Sequence, residues 1–275
     1  MPLTPSSPRI SFDIAGESGP PVLLIMGFGM SGALWEPQIE ALSGAHRVAT
    51  YDHLGLGGSE RPTRAPTTRR MARDAARVLD ALDWTDAHVV GVSMGGMIAQ
   101  ELALLAPTRL RSLTLIATHP GGVLAALPPL AGLARFVQAN TSRPEGRVRA
   151  LARLLYTPEF LRSPAGARVD ARLAQMAGRR APRETVLGHL GAVARHRAGE
   201  RLGDVRAPTL VVRPGRDILI RPRNSDDLAA RIPGARLLRL DDAGHGVTFE
   251  KADALNAALA AHIADAEARQ PTARS

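Results

Sequence analysis

A serine lies between glycines in the segment GVSMGG, where Gly91, Ser93 and Gly95 follow the Gly-x-Ser-x-Gly spacing. The apolar run AHVVGV before it predicts a buried strand, and MGGMIAQELALL after it predicts a helix. So sharp a strand-to-helix turn accepts only small residues two positions before and after the serine, and it exposes the serine hydroxyl. The alternative is an ordinary glycine-rich turn. The pattern predicts that Ser93 is a nucleophile at the carboxyl end of its strand.

The candidates for base and acid lie at the ends of two later strands. A serine hydroxyl is a weak nucleophile and needs a base that a third group orients. Among the eight histidines, His245 follows the last predicted strand in the glycine-flanked loop DDAGHG, and Asp217 ends the strand before it. The chain order serine, aspartate, histidine is the one found for triads on such sheets. We predict Ser93, Asp217 and His245 as catalytic residues, with Asp241 and Asp242 as alternative acids.

Two backbone N–H groups are the candidates for binding a developing oxyanion. One belongs to Met94, which directly follows the serine. The other belongs to Phe28, which lies between Gly27 and Gly29 in the loop IMGFG after the first buried strand. The glycines allow the backbone to turn inward. We therefore expect the Phe28 and Met94 N–H groups to form an oxyanion hole, and Gly27 and Gly29 to contact substrate.

Strand and helix patterns alternate along most of the chain. Apolar runs such as PPVLLIMG, HRVATYD and LRSLTLIAT alternate with helical spacing, which predicts an α/β fold with a mostly parallel central sheet flanked by helices. The pattern breaks over residues 121–200, where amphipathic arginine-rich segments are divided by prolines. We expect residues 1–120 and 201–275 to form the core. Residues 121–200 are then a helical cap, or lid, inserted after the sixth strand.

These motifs together resemble the α/β-hydrolase family over nearly the whole chain. The segments LLIMGFGMSGALWEPQIEAL, YDHLGLGGS and GVSMGGMIAQELAL and the GHG loop are similar to 3-oxoadipate enol-lactonases, bacterial carboxylesterases and cofactor-free perhydrolases. Two positions depart from the family pattern. Met26 stands where a histidine often precedes the oxyanion loop, and Pro214 stands where a glycine usually precedes the acid by three residues. The resemblance implies an α/β-hydrolase core with a helical cap.

A serine in the nucleophile position indicates acyl transfer, whereas members of this fold that cleave haloalkanes or epoxides resemble one another in using aspartate. The expected activity is hydrolysis of a carboxylic ester of a small or medium-sized molecule through an acyl-enzyme. Lactone hydrolysis and cofactor-free perhydrolysis are alternatives of the same mechanism. A ligand-binding protein of the same fold that does no catalysis is an alternative of a different class.

Candidate substrate contacts also come from outside the motifs. Phe136 and Met176 belong to the predicted cap and are expected to supply part of an apolar wall. His53 and His119 are further candidates to face the site, and His119 is included among the candidate substrate contacts, although a place in the core or at the surface is favoured for each. Between Asn140 and Gly199, 12 arginines outnumber 4 acidic residues. A solvated outer face is favoured for these arginines over recognition of a substrate carboxylate.

Composition narrows the classes of protein that remain. A chain of 275 residues with 45% hydrophobic residues suits one large domain with an insertion. The sequence has no cysteine, no secretory signal pattern and no apolar run of membrane-spanning length, so we expect a cytoplasmic protein without a membrane partner. The net charge of +9 comes with no nucleic-acid-binding motif, so no nucleic-acid partner is expected. The histidines are too scattered to predict a metal site. The GLGG turn lacks the lysine of a phosphate-binding loop, so no cofactor is expected. The sequence does not indicate the oligomeric state.

Overall fold

The computed structural model describes residues 1–122, 125, 127–169, 173 and 181–269. Seven strands form one sheet: β1 (Phe12–Ala15), β2 (Pro21–Ile25), β3 (Arg47–Tyr51), β4 (Ala87–Val92), β5 (Leu110–Ile116), β6 (Thr209–Pro214) and β7 (Arg236–Leu240). The described α-helices are α1 (Glu36–Leu42), α2 (Thr68–Ala81), α3 (Met94–Leu105), α4 (Leu130–Thr141), α5 (Pro144–Leu155), α6 (Pro158–Leu161), α7 (Arg183–Ala194), α8 (Arg223–Arg231), α9 (Val247–Glu250) and α10 (Ala252–Glu267). None of these helices combines the length and apolar character needed to cross a membrane.

The sheet is parallel except at one edge. Its strand order is β1-β3-β2-β4-β5-β6-β7, with β1 antiparallel to β3 and every other described pair parallel. The β4 strand lies in the middle, where Val90 pairs with Leu24 of β2 and with Thr114 of β5. Because parallel strands end at a common edge, the loops after β2, β4, β6 and β7 meet there. The fold thus brings together the four loops that carry the predicted site residues.

Helices cover both faces of the sheet, which explains why the central strands are apolar throughout. Successive side chains of a strand point to opposite faces. Leu23 and Val89 join the apolar cluster on the side of α2 and α3, while Leu24 and Val90 join the cluster on the side of α1 and α10. Every residue of β2 and β4 is buried. The predicted α/β architecture, a mostly parallel sheet flanked by helices, is confirmed.

The helices from α4 to α7, residues 130–194, lie between β5 and β6 and are called the helical segment below. Among the described residues between those strands, backbone pairing of the β type is limited to the isolated bridge between Gly121 and Arg197. The helical segment therefore follows the fifth strand, not the sixth as expected. A sixth strand before the helical segment would require one ahead of β1. The residues there form only an isolated bridge, in which Leu3 pairs with Ser11.

The helical segment is built around an apolar cluster of its own. Ala139 of α4 packs with Leu151 and Leu155 of α5 and with the neighbouring Tyr156, and Leu173 completes the cluster. Met176, the other predicted wall residue, lies outside the described residues. The cluster gives α4 and α5 a shared interior, so these two helices pack on each other.

Candidate active site at the carboxyl edge of the sheet

Ser93 lies at the sharp junction between β4 and α3. Its φ of 55° and ψ of −120° fall outside the regions that side-chain-bearing residues favour, which costs about 1–3 kcal/mol of strain. A Cβ atom on Gly91 would lie 2.3 Å from the carbonyl oxygen of Gly95, and one on Gly95 would lie 2.0 Å from that of Ile25. Both glycines are therefore required by the close approach of the backbone at this turn.

Two hydrogen bonds from the end of β5 hold this turn in place. The Ser93 N–H donates to the carbonyl oxygen of Ile116 at 2.9 Å. The Thr118 hydroxyl donates to the carbonyl oxygen of Ser93 at 2.7 Å. The serine is thus fixed by its own backbone, while its side chain lines a cavity at the sheet edge.

His245 and Asp217 are joined by a short hydrogen bond. The His245 Nδ1 atom lies 2.7 Å from Asp217 Oδ2, and both side chains are buried. The second carboxylate oxygen, Oδ1, accepts from the N–H groups of Leu219 at 2.7 Å and Ile220 at 2.8 Å. These bonds fix the carboxylate and leave Nε2 as the imidazole nitrogen that can exchange a proton. His245 and Ser93 line the same cavity.

The two alternative acids are engaged elsewhere. Asp241 pairs with Arg213 at 2.8 Å, and its side chain is 74% exposed. Asp242 pairs with Lys251 at 2.6 Å, and the lysine holds the pKa of this exposed carboxyl below its usual value. Neither has the buried contact to the imidazole that Asp217 makes, so the geometry favours Asp217.

The two predicted oxyanion donors flank the serine. Met94 is the first residue of α3, so its N–H group has no acceptor within that helix. No hydrogen bond joins the Phe28 N–H to the described part of the chain. The loop that carries Phe28 lies against the serine, because a Cβ atom on Gly27 would lie 3.2 Å from the Ser93 Cβ atom. Gly29 follows with a φ of 64°, a backbone conformation that favours glycine.

The cavity over Ser93 has a volume of about 430 Å³. Its walls come from the loop after β2, from the helical segment and from the loop that carries His245, called the histidine loop below. Most of the lining is apolar and includes Met26, Met30, Leu34, Leu56, Val92, Phe136, Leu151, Leu154, Leu155, Tyr156 and Val186. Gly27, Gly29 and Phe136, three of the predicted substrate contacts, line it as well. The Phe136 ring meets the Phe28 ring edge-on, with centroids 5.6 Å apart.

His119, a candidate substrate contact, does not line this cavity, and the structure places it in the core, one of the positions that the sequence favoured. Its side chain is fully buried. The Nδ1 atom accepts from the N–H of Gly121 at 3.0 Å, and the ring lies beside that of His196. Burial lowers the pKa of His119 to about 4, so the ring is neutral at neutral pH. The tight turn after β5 draws the imidazole into the core and away from the site.

A buried glutamate that the sequence did not indicate holds the histidine loop. The carboxylate of Glu250 accepts from the Gly244 N–H at 2.7 Å and from the Thr157 N–H at 3.2 Å. It also accepts a short hydrogen bond from the Thr157 hydroxyl. The Gly246 N–H donates to the Leu155 carbonyl oxygen at 2.6 Å. These contacts connect Gly244 and Gly246, the neighbours of His245, to the residues at the end of α5.

Two histidines support the loop after β2, which carries Phe28, from behind. His53 donates from Nε2 to the carbonyl oxygen of Met26 at 2.9 Å, and His189 accepts from the Gly29 N–H at Nδ1 over 3.3 Å. Burial lowers the pKa of both rings, that of His189 to about 3, which keeps Nδ1 of His189 available as an acceptor. His53 thus faces the back of the loop, and neither ring lines the cavity over Ser93. Among the described residues no group of three side chains is placed to hold a metal ion.

Comparison with known proteins shows the family to which the chain belongs. Residues 20–252 match the family model described as alpha/beta hydrolase fold. A protein of Azorhizobium caulinodans named "Putative carbamate hydrolase RutD" is 38% identical over 90% of this chain and 92% of its own. The enol-lactonase of Burkholderia xenovorans superposes with a TM-score of 0.82 at 25% identity, covering 96% of this chain and 100% of its own. A thermophilic esterase of Thermogutta terrifontis superposes with a TM-score of 0.80 at 26% identity, covering 96% and 97%. The chain belongs to the α/β-hydrolase fold family and is a relative of hydrolases.

Proposed function

We propose that this protein is a serine hydrolase that cleaves a carboxylic ester of a small or medium-sized molecule. The observation that carries the proposal is the buried 2.7 Å contact between His245 and Asp217 beside the same cavity that Ser93 lines from its strained turn. A nucleophile, a base and an acid at one sheet edge are the three groups that acyl transfer needs. Its relatives and structural neighbours include hydrolases of ester-like bonds.

The proposed reaction proceeds through an acyl-enzyme. The Ser93 Oγ attacks the ester carbonyl carbon while His245 takes its proton, and Asp217 stabilises the imidazolium that forms. The oxyanion accepts hydrogen bonds from the Phe28 and Met94 N–H groups, each worth about 10²–10³ in rate in comparable sites. The C–O bond then breaks, and the imidazolium gives its proton to the leaving alcohol. A water molecule, deprotonated by the same imidazole, releases the acid and restores the serine.

The cavity suits an apolar acyl group of several carbons. Its volume of about 430 Å³ lies in the range of small-molecule sites, and its lining is mostly apolar. Phe136, Leu151 and Leu154 of the helical segment supply one wall. We propose that residues 121–200 act as a cap over the site and that residues 1–120 and 201–275 are the hydrolase core. The substrate class is therefore a small-molecule ester whose acyl part packs under the cap.

Lactone and carbamate bonds are the second candidates, since both present a carbonyl to the same nucleophile. The structural neighbour from Burkholderia xenovorans is an enol-lactonase, and the relative from Azorhizobium caulinodans is named for carbamate hydrolysis. A lactone returns its leaving oxygen as part of the same molecule, so the acyl-enzyme holds the whole substrate in the cavity. Perhydrolysis differs only in the acceptor, hydrogen peroxide in place of water.

The test is turnover of p-nitrophenyl esters from acetate to octanoate, with a lactone and a phenyl carbamate in parallel. We expect hydrolysis of at least one ester and a loss of roughly 10⁴-fold or more in kcat/KM for Ser93→Ala. Ser18→Ala, at an exposed serine outside the cavity lining, is the matched control and should keep full activity. Equal activity of Ser93→Ala and the parent would contradict the mechanism, and turnover of the lactone or carbamate alone would replace the ester as substrate.

A further inference from the structure

A second cavity of about 240 Å³ lies behind the oxyanion loop. It is bounded by Tyr51 at the end of β3, by the loop that follows that strand, and by α2. None of the residues that line it also lines the cavity over Ser93. The proposed hydrolytic reaction therefore leaves this cavity without a role.

The lining of the second cavity is strongly basic. It contains four arginines, Arg64, Arg70, Arg73 and Arg77, against the single carboxylate of Asp74. Arg77 is already occupied, since it lies 3.4 Å from Asp74 and donates to backbone carbonyl groups of the N-terminal segment. Arg64 and Arg73 are exposed and pair with no acid among the described residues. Guanidinium groups with unused donors favour a carboxylate or phosphate partner.

Tyr51 adds a hydrogen-bond donor to the wall. The residue is 1% exposed, and its hydroxyl has no hydrogen-bond partner within the described part of the chain. A buried hydroxyl without a partner is costly, so a native structure that keeps one calls for an explanation. Burial and the neighbouring Asp74 raise the pKa of Tyr51 well above its usual value. The hydroxyl therefore stays protonated and can donate to an anion.

The remaining walls are apolar or neutral. Ile10, Leu54 and Met71 line the cavity together with the rings of His53 and His189. Both imidazoles are neutral at neutral pH, as described above, and their other contacts hold the oxyanion loop. An occupant of the cavity would rest on these rings with its apolar part. The cavity thus offers an occupant both charged groups and apolar or neutral surface.

We propose that this cavity is a second ligand site that binds a small organic anion, a carboxylate with an apolar body. Arg64 and Arg73 contact the carboxylate, the Tyr51 hydroxyl donates a hydrogen bond to it, and the apolar body packs against His53 and His189. Asp74 opposes the anion from the same cavity. Repulsion between the Asp74 carboxylate and the bound anion limits the affinity of the site. Replacing Asp74 by a neutral residue should therefore strengthen binding.

Isothermal titration calorimetry with benzoate as the probe tests the proposal. We expect one equivalent of benzoate to bind, with affinity reduced on the order of tenfold or more by the double change Arg64→Gln and Arg73→Gln. Arg206→Gln, at an exposed arginine outside both cavities, should leave the affinity unchanged. Benzamide, which lacks the charge, and inorganic phosphate, which lacks the apolar body, should each bind more weakly than benzoate.

Two further variants separate a ligand site from a merely structural role. Tyr51→Phe should weaken benzoate binding without lowering stability, because the lost hydroxyl has no partner in the protein. Asp74→Asn should tighten binding, since it removes a like charge from the cavity. Phe136→Ala changes only the cavity over Ser93 and should have no effect on benzoate. No benzoate binding, binding that persists in the double arginine variant, or binding lost in Phe136→Ala would overturn the proposal, as would phosphate binding that equals benzoate.

Discussion

The carboxyl edge of the sheet and the helical segment both line the cavity over Ser93, but they are held in different ways. At the sheet edge, polar contacts of 2.7–2.9 Å fix Ser93, Asp217 and His245, and the backbone at the serine is strained. The helical segment contributes apolar surface, and its α4 helix leaves Leu130 86% and Val137 50% exposed. Directional polar contacts suit groups that must hold one geometry for chemistry. Apolar walls suit a region that selects substrate by size and shape.

The comparison predicts the largest effect at Asp217, the proposed acid of the sheet edge. In Asp217→Asn the amide no longer stabilises an imidazolium and favours the wrong tautomer, so kcat should fall by about 10⁴-fold. Asp241→Asn is the matched control, because that carboxylate pairs with Arg213 at the surface. Steady-state kinetics on p-nitrophenyl butyrate measures both. A loss in Asp241→Asn as large as that in Asp217→Asn would show that the wrong carboxylate has been assigned as the acid.

Glu250 connects the two regions, and its change should have an intermediate effect. Glu250→Gln keeps the size of the side chain but turns an amide NH₂ toward donors that need an acceptor. One charge-assisted hydrogen bond of about 1.5–3 kcal/mol is then lost, and the histidine loop loosens from Thr157. We expect kcat to fall on the order of tenfold with KM little changed, because Glu250 holds the loop that carries His245 and does not line the cavity over Ser93.

The control for this prediction is Glu159→Gln. Glu159 lies in α6, two residues after Thr157, and pairs with Arg216 at the surface, where its carboxylate is 59% exposed. An exposed pair contributes little to stability. Activity and melting temperature should therefore stay close to those of the parent. If Glu250→Gln melts at a lower temperature but retains its full kcat, the glutamate supports the fold only and does not position the histidine.

The sequence predicts the sheet edge well because its signals are local. The Gly-x-Ser-x-Gly spacing marks the turn at Ser93 within five residues, and the turn itself imposes Gly91, since a Cβ atom there would meet the Gly95 carbonyl oxygen. Strand ends along the chain locate Asp217 and His245, since parallel strands share an edge. Side-chain direction is less local. The sequence locates the end of the strand before His119, but the turn after that strand points the ring into the core.

The contacts that the sequence did not indicate join distant parts of the chain. Glu250 and Thr157 are 93 residues apart, and Gly29 and His189 are 160 apart. No periodicity links such pairs, because each depends on how the helical segment packs on the core. The second, basic cavity is of the same kind: its arginines are spread over α2 and the loop before it, where they resemble an ordinary solvated face. Its existence follows only from the packing of Tyr51, His53 and His189 behind them.

The most restricted predicted effect, confined to long-chain esters, tests the helical segment as the selector of substrate. Phe136→Ala removes a ring from the apolar wall and from its edge-on contact with Phe28. We expect KM to rise about tenfold for hexanoate and octanoate esters, whose chains reach the wall, and to stay unchanged for acetate. Leu133→Ala, on the same helix but 45% exposed and outside the cavity lining, should change neither value. An equal rise for acetate and octanoate would mean that the ring supports the oxyanion loop through Phe28. The sheet edge itself would then select substrate by size. The proposed separation, with chemistry at the sheet edge and substrate selection in the helical segment, would be wrong.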